Sequence, residues 1–360
     1  MIAYRALRKY GRSIRAYSGI ISTAAKVQMR TKNIVIAYWA DSELAFIEFA
    51  RRNCSKFGLF FSLIKISHEV RWFTPRRSIL ANFLHLVKVF FQVLYYGFNG
   101  RVASFGTNTC RILFFFSWLF KDIHYVYNEL PSFSLWSPAA WIDQVIFRFA
   151  RNVSVSTIER ANFVRHAYKL SRSISVLENI TFIDIPKTNS NIRQGHVIFS
   201  GSITSKRFSD DDVEKMEYIV DRFKTPIDVY GEVAGDISCK FNRLINLKGK
   251  VSHARMLEIM RNYEYGLLSY YTGEPNYDLC APLKLYEYLA HGCKVISLNK
   301  NRGLVAFSER YPALISFVSY NGSYDMCDSA KKLDEFNFQR DQFLANAILS
   351  NLQFAERLVA

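Results

Sequence analysis

From Asn33 onward the chain alternates between two periods. Short apolar runs predict strands: "NIVIAY" (33–38), "GLFFSLIKI" (58–66), "RVASF" (101–105), "IHYVY" (123–127), "NVSVS" (152–156) and "SISVL" (173–177). Between them, apolar positions recur every three or four residues and predict helices, as in "DSELAFIEFARR" (41–52), "NTCRILFFFSWLF" (108–120), "AAWIDQVIFRFA" (139–150) and "IERANFVRHAYK" (158–169). Strands that alternate with helices predict a parallel sheet with helices on its faces. A polar stretch, "IPKTNSNIRQG" (185–195), has the composition of a linker. The alternation then restarts with "HVIFS" (196–200), a helix from about Asp210, "PIDVYG" (226–231), "LINLKG" (244–249), "HARMLEIMRN" (253–262), "YGLLSY" (265–270), "APLKLYEYLA" (281–290) and "KVISL" (294–298). The expected organisation is a basic segment over 1–30, an α/β domain over 31–190, a second over 191–335 and a closing helix over 336–360, able to pack on either domain.

Size and charge sharpen this picture. A chain of 360 residues, half of them apolar, is globular and too long for one ordinary core. Residues 1–190 hold 26 of the 47 Lys and Arg but 10 of the 31 Asp and Glu, so the first half carries the whole net charge of +16 and the second half is neutral. That asymmetry points to an anionic partner for the first half alone. No helix-turn-helix, RRM or zinc signature accompanies the charge, so nucleic acid is the weaker alternative and an anionic membrane surface the expected partner. Lys26, Arg30, Arg51, Arg52, Arg76 and Arg77 are the expected membrane contacts. The segment 79–98 is long enough to cross a bilayer, but His85, Lys88 and Gln92 interrupt it, so it reads as a helix packed on the sheet. Six cysteines without a CxxC pair or zinc-like spacing fit a reduced cytosolic compartment. No G-x-G-x-x-G follows the first strand of either domain, which argues against an NAD enzyme.

Four blocks of the second half carry a more specific signal: "VIFSGSIT", "VYGEV", "NLKGKVSHARMLEIMRNYEYGLLSY" and "APLKLYEYLAHGCKVIS". In order and spacing they resemble the nucleotide-sugar-binding domain of GT-B-fold glycosyltransferases, above all the large family-four-like group. The first half resembles the same enzymes more loosely, at "IHYVYNELPSF" and "NVSVSTIERANFVRH…SVLEN". The resemblance implies two Rossmann-like doubly wound domains facing across a cleft. It also implies a metal-independent hexosyltransferase-type enzyme with no cofactor, whose nucleotide sugar is a substrate. The acceptor would be lipid-linked or a glycan, met at the cytosolic membrane face. A catalytically inactive assembly partner is the alternative.

Residue by residue, the spacing of Lys284 and Glu287 places both on one helix face, and alone predicts an ion pair worth a few tenths of a kcal/mol if exposed. The resemblance implies more: Lys284 at the donor diphosphate and Glu287 accepting both ribose hydroxyls, with Leu283 beside them in the first turn and Pro282 suited to that turn because it lacks an N–H. Gly201, Ser202 and Gly231 are expected to bring backbone close to phosphate, with Lys206 or Arg207 completing the clamp. Many retaining relatives carry a second Glu eight positions before the ribose ligand; here that position is Leu279, and Asp278 and Glu274 are out of register, which leaves retention or inversion open. The candidate base is Glu129, with Asp41 second; His124 reads as a sheet residue, and Asn128 stands where the family often has His. "SDDDVEK" (209–215) contains Asp-x-Asp, but Ser209 followed by acids is a helix N-cap and not a metal motif.

Overall fold

The computed structural model describes residues 33–39, 60–66, 101–130, 138–179, 193–204, 208–234, 241–270, 275–318 and 333–359. Asp41, Lys206, Arg207, Glu274, the basic residues proposed as membrane contacts and the apolar segment 79–98 lie outside them. The chain divides into two compact units, Met1–Asp184 with Ile348–Ala360, and Ile185–Ala347.

The first unit is built on β1 (Asn33–Trp39), β2 (Phe60–Ile66), β3 (Arg101–Phe105), β4 (Asp122–Tyr127), β5 (Asn152–Val155) and β6 (Ser175–Val176). All pair in parallel, in the order β2-β1-β3-β4-β5-β6. Helices α1 (Thr107–Phe115), α2 (Pro138–Phe149) and α3 (Ile158–Ala167) connect the strands after β3. The apolar run after Gly106 is shorter as a helix than its pattern predicts, because the last turn tightens into a 3₁₀ turn over Ser117–Leu119. β3, β4 and β5 are buried along nearly their whole length, as strands covered on both faces must be. His124 is a sheet residue, with Nε2 2.9 Å from Ser154 Oγ and its ring 4.6 Å from that of Phe354.

The second unit holds β7 (Arg193–Ser200), β8 (Ile227–Tyr230), β9 (Ile245–Leu247), β10 (Tyr263–Leu268), β11 (Lys294–Ser297) and β12 (Ile315–Phe317), in the parallel order β12-β11-β10-β7-β8-β9. Read from β9, this is the 3-2-1-4-5-6 order of a dinucleotide-type fold, whose direction reverses between β7 and β10. Its helices are α4 (Asp210–Phe223), α5 (His253–Met260), α6 (Pro275–Asp278), α7 (Leu283–Ala290) and α8 (Arg302–Arg310). Here the linker reading needs correction, since β7 starts at Arg193 and takes in three residues of the polar stretch. Arg193 pairs with Tyr263 and Val197 with Tyr265, so β7 bulges; Gly195, at φ +71°, supplies the conformation, and its N–H donates to Glu264 Oε2 at 2.7 Å. α8 and β12 have no counterpart in the apolar pattern.

The last helix, α9 (Leu333–Val359), starts three residues before the expected 336 and contributes to each unit in turn. In the second unit Phe343 lies 5.1 Å from Tyr286 and 4.9 Å from Phe307. In the first, Phe354 packs on Phe105 and His124, and Ser350 Oγ donates to Val176 O at 3.0 Å.

Local chemistry fixes the ends of these helices. Thr157, Ser209, Ser252 and Asn301 cap α3, α4, α5 and α8 through side-chain oxygens, and Ser209 with Asp212 forms a full capping box. α7 stops abruptly because Gly292, at φ +86°, turns the chain and lets the Cys293 N–H donate to Tyr288 O. β11 can therefore start at Lys294. α7 also packs where only glycine fits: a Cβ on Gly266 of β10 would stand 2.3 Å from the Tyr288 ring. Gly266→Ala should therefore cost about 1–3 kcal/mol through overpacking. Urea unfolding measures this, and an unchanged midpoint would refute the packing constraint.

Candidate functional site

The loops that follow the strands of the second unit meet at one end of its sheet. After β7 the chain turns through Gly201 and Ser202, and after β8 through Gly231. These two loops touch backbone to backbone. The Gly201 N–H donates to Tyr230 O at 3.1 Å, the Ile203 N–H to Glu232 O at 2.8 Å, and the Ala234 N–H to Ile203 O at 2.9 Å. A Cβ on Gly231 would lie 1.9 Å from Gly201 O, so Gly231 is required by the close approach of the two loops. Gly201 itself has φ +154°. Both glycines are expected at a phosphate from the sequence; the reason the structure gives for Gly231 is packing.

Across the β7/β10 switch point stands α7. Its Tyr288 hydroxyl accepts the N–H of Ser200 at 3.0 Å, which ties the helix to the strand that feeds the Gly201–Ser202 loop. Pro282 is the N-cap residue of α7, at φ −70° and ψ 150°, one position before the first turn in which it was expected. That extended ψ is why Leu283 is the first helical residue. No side-chain hydrogen bond caps this helix.

Glu287 is the centre of the arrangement. Its side chain is 1% exposed, yet both carboxylate oxygens are served: Lys284 Nζ donates to Oε2 at 2.6 Å and His253 Nε2–H to Oε1 at 2.6 Å. Lys284 and Glu287 do form an ion pair, but a buried one that includes a third group, so the exposed pair that spacing alone predicts is not what is present. Burial would raise the carboxyl pKa; the His253 hydrogen bond and the Lys284 charge and hydrogen bond outweigh it and hold it below the ordinary glutamate value. His253 is the first residue of α5, held there by the Ser252 cap. It was not singled out from sequence. His291, the C-cap residue of α7 one turn beyond Glu287, is a buried ring whose pKa is lowered chiefly by burial, with Nδ1–H donating to Glu287 O at 2.7 Å.

Two further groups complete this end of the sheet. Asn299, after β11, donates to Asp212 Oδ1 at 2.8 Å and accepts the Tyr270 N–H at 2.9 Å. Asp212 also accepts the Ser209 N–H and hydroxyl, so the third acid of the Asp-x-Asp stretch is engaged in capping. Asp278 is engaged too: its carboxylate accepts the Arg302 N–H at 2.9 Å and Nε–H at 2.5 Å, fastening α6 to the start of α8. Leu279, the position of the absent second glutamate, is buried.

In the first unit, Glu129 is exposed just beyond β4. The preceding carbonyl, Asn128 O, accepts hydrogen bonds from Ser156 Oγ at 3.2 Å and from the buried Arg160, which fix the loop on which Glu129 stands. That unit's strand order reverses between β1 and β3, one strand away.

The two parallel sheets have counterparts among solved structures. A glycosyltransferase from Rickettsia africae superposes with TM-score 0.59 at 12% identity, over 91% of this chain and 96% of that one. The fold is GT-B. A UDP-GlcNAc 2-epimerase from Neisseria meningitidis, solved bound to UDP-GlcNAc, shares the GT-B architecture at TM-score 0.52 and 10% identity, over 91% and 99% of the two chains. The chain spans only 55% of the length of TarM of S. aureus, at 14% identity and TM-score 0.49. No family model and no curated protein sequence matches the chain.

The Glu287 geometry sets a pH dependence. A carboxyl held below its unfolded value contributes stability that is fully present above about pH 4.3 and is lost as pH falls through the lower folded value. Melting curves between neutral and acid pH should show the wild type losing stability below that point more steeply than Glu287→Gln, which starts less stable. Parallel curves would refute the depressed carboxyl.

Proposed function

We propose that the protein is a glycosyltransferase that moves a sugar from a nucleotide-sugar donor to a lipid-linked or polysaccharide acceptor at the cytosolic membrane face. The observation that carries this reading is the buried Glu287 carboxylate at the switch point of the second sheet, with Lys284 and His253 on its oxygens. An ionised carboxylate has about four acceptor sites. His253 and Lys284 use two, and the neighbouring hydroxyls of a ribose would take the others once the partly exposed His253 or Lys284 gives way to admit them. Lys284, partly exposed at the start of α7, which no side chain caps, and the N–H groups of Leu283 and Lys284 then face the diphosphate. The leaving diphosphate gains charge in the transition state, and a fixed ammonium beside a helix N-terminus stabilises it in the role a metal would otherwise fill.

Glu129 is the proposed base that takes the acceptor hydroxyl's proton, with Asp41 as second candidate. The tether of Asn128 O by Ser156 and Arg160 supports Glu129, because a base must be held in place to act. An epimerase neighbour with the same fold makes a second reading specific: donor binding without an acceptor. Incubation of a nucleotide sugar with and without a glycan-lipid acceptor separates the two, since transfer needs the acceptor and epimerisation does not. A thermal-shift screen of nucleotide sugars is the first experiment, because a ligand of the native state raises its melting temperature.

Two substitutions then probe separate parts of the donor. Glu287→Gln should cost on the order of 1.5–3 kcal/mol in nucleoside diphosphate affinity, the scale of a hydrogen bond to a charged group, and little for a 2′,3′-dideoxy analogue. Lys284→Met should weaken nucleoside diphosphates far more than nucleosides. Calorimetric titration of folded protein measures both; unaltered donor selectivity in the two variants would retire this site.

A further inference from the structure

Among the described residues of the first unit, one helical layer leaves large aromatic side chains exposed. β3, β4 and β5 are adjacent and parallel in chain order, so right-handed crossovers put α1 and α2 side by side on one face of the sheet. The Arg111–Asp143 ion pair joins them, with Asp143 fully buried and also accepting from the Tyr127 hydroxyl at 3.0 Å. Four large aromatic side chains point away from this layer: Phe115 at 56% exposed, Trp118 at 75%, Trp141 at 62% and Phe149 at 78%. Trp141, Val145, Arg148 and Phe149 fall on one stripe of α2 at helical spacing. Four exposed aromatic rings on two adjacent helices are unusual on a protein that meets only water.

Among the described residues, the exposed charges at the end of this layer nearest the starts of β4 and β5 are basic, while Glu159 stands in the first turn of α3 at the other end. Lys121 and Arg151, immediately before β4 and β5, are exposed, as are Arg148 and, at the end of α3, Arg165 and Lys169. Asp143 is buried in its ion pair, and the Asp122 carboxylate accepts from Asn152 Nδ2 at 2.8 Å. Glu129 stands at the opposite end of β4. The end of α2 is also fixed: Arg172 donates to the carbonyls of Phe147 at 2.7 Å and Arg151 at 3.2 Å, and to that of Ala150. Phe149 is thus presented by a capped helix end.

We infer that the outer face of α1 and α2, with the 3₁₀ turn between α1 and β4, is a docking surface for an anionic lipid bilayer. Tryptophan and phenylalanine rings enter the headgroup region while lysine and arginine stay at the phosphates. The inference deepens the membrane part of the proposed function, and its test does not depend on the donor site. Full-length protein is sedimented with vesicles of phosphatidylcholine alone and of phosphatidylcholine with phosphatidylglycerol. Binding is expected to the anionic vesicles and to weaken as salt rises. Lys121→Glu with Arg151→Glu should lower the partition coefficient at least ~10-fold, from the contribution of each basic residue near an anionic surface. Trp118→Ser with Phe149→Ser should lower it as well, and Trp118→Phe should diminish the blue shift of tryptophan emission on binding. Nucleoside diphosphate affinity should be the same in all variants, so loss of the donor site and loss of the membrane site read out separately. Vesicle binding unchanged in either double variant would overturn the inference. So would a dimer that dissociates on the same substitutions without any vesicle binding, which would assign the face to a second copy of the chain.

Discussion

A glutamate carboxylate buried to 1% exposure is the constraint around which the second unit is organised. Burial of an unpaired charge costs several kcal/mol, so Glu287 exists in its ionised form only because donors reach it from two directions. Lys284 comes from one turn earlier on the same helix, and His253 from the start of α5. The second contact fastens two helices that are far apart in sequence. Tyr288, the next residue, fastens the same helix to Ser200, and its ring lies against Gly266 so closely that no side chain fits there. One turn of α7 therefore fixes α5, β7 and β10 relative to one another. Rigid placement of this kind is what a binding group requires, because a carboxylate free to rotate loses part of its hydrogen-bond energy to ordering.

The same logic governs the loops. Gly201 and Gly231 approach so closely that no Cβ fits at Gly231, and the hydrogen bonds from Ile203 to Glu232 and from Ala234 to Ile203 extend the sheet's pairing beyond the strand ends. Asn299 and Asp212 join the end of β11 to the start of α4. Loops that carry function usually have more freedom than the elements they connect. Here backbone hydrogen bonds hold them.

Much of this architecture was legible in the chain, and the reasons differ by element. The strands could be read because parallel strands buried on both faces are continuous apolar runs. Ser209 could be read as a cap because acids follow it, and the structure shows the full capping box. Gly292 announced the end of α7, since a glycine between a helical and a strand period is a C-terminal stop. His253 was not legible: a single histidine at a helix start has no local signature, and its partner is 34 residues away. Gly266 was equally silent, because what forbids a side chain there is the Tyr288 ring and not the local backbone. The polar residues Arg193–Gly195 looked like linker because a bulge hides the strand period. Pro282 was placed one position late because an N-cap and a first helical residue differ only in ψ, which proline leaves free.

A fold shared by a glycosyltransferase and a UDP-GlcNAc 2-epimerase narrows what the site can decide. Under the proposed function the groups around Glu287 recognise a nucleoside diphosphate, a recognition equally useful to transfer and to epimerisation. Under the proposed function, the choice of reaction therefore rests with the first unit: with Glu129 on a loop held by Ser156 and Arg160, and with whatever the basic aromatic face of α1 and α2 brings within reach. The sequence already hinted at this separation. The whole net charge lies in the first half, and the half that carries the donor-type pattern is neutral. Under the same proposal a neutral donor unit is chemically sensible, because a diphosphate bound by one lysine and a helix N-terminus would be held strongly enough to position and weakly enough to leave. Long-range attraction to an anionic surface is better placed on the other unit, where it does not compete with release of the nucleotide product.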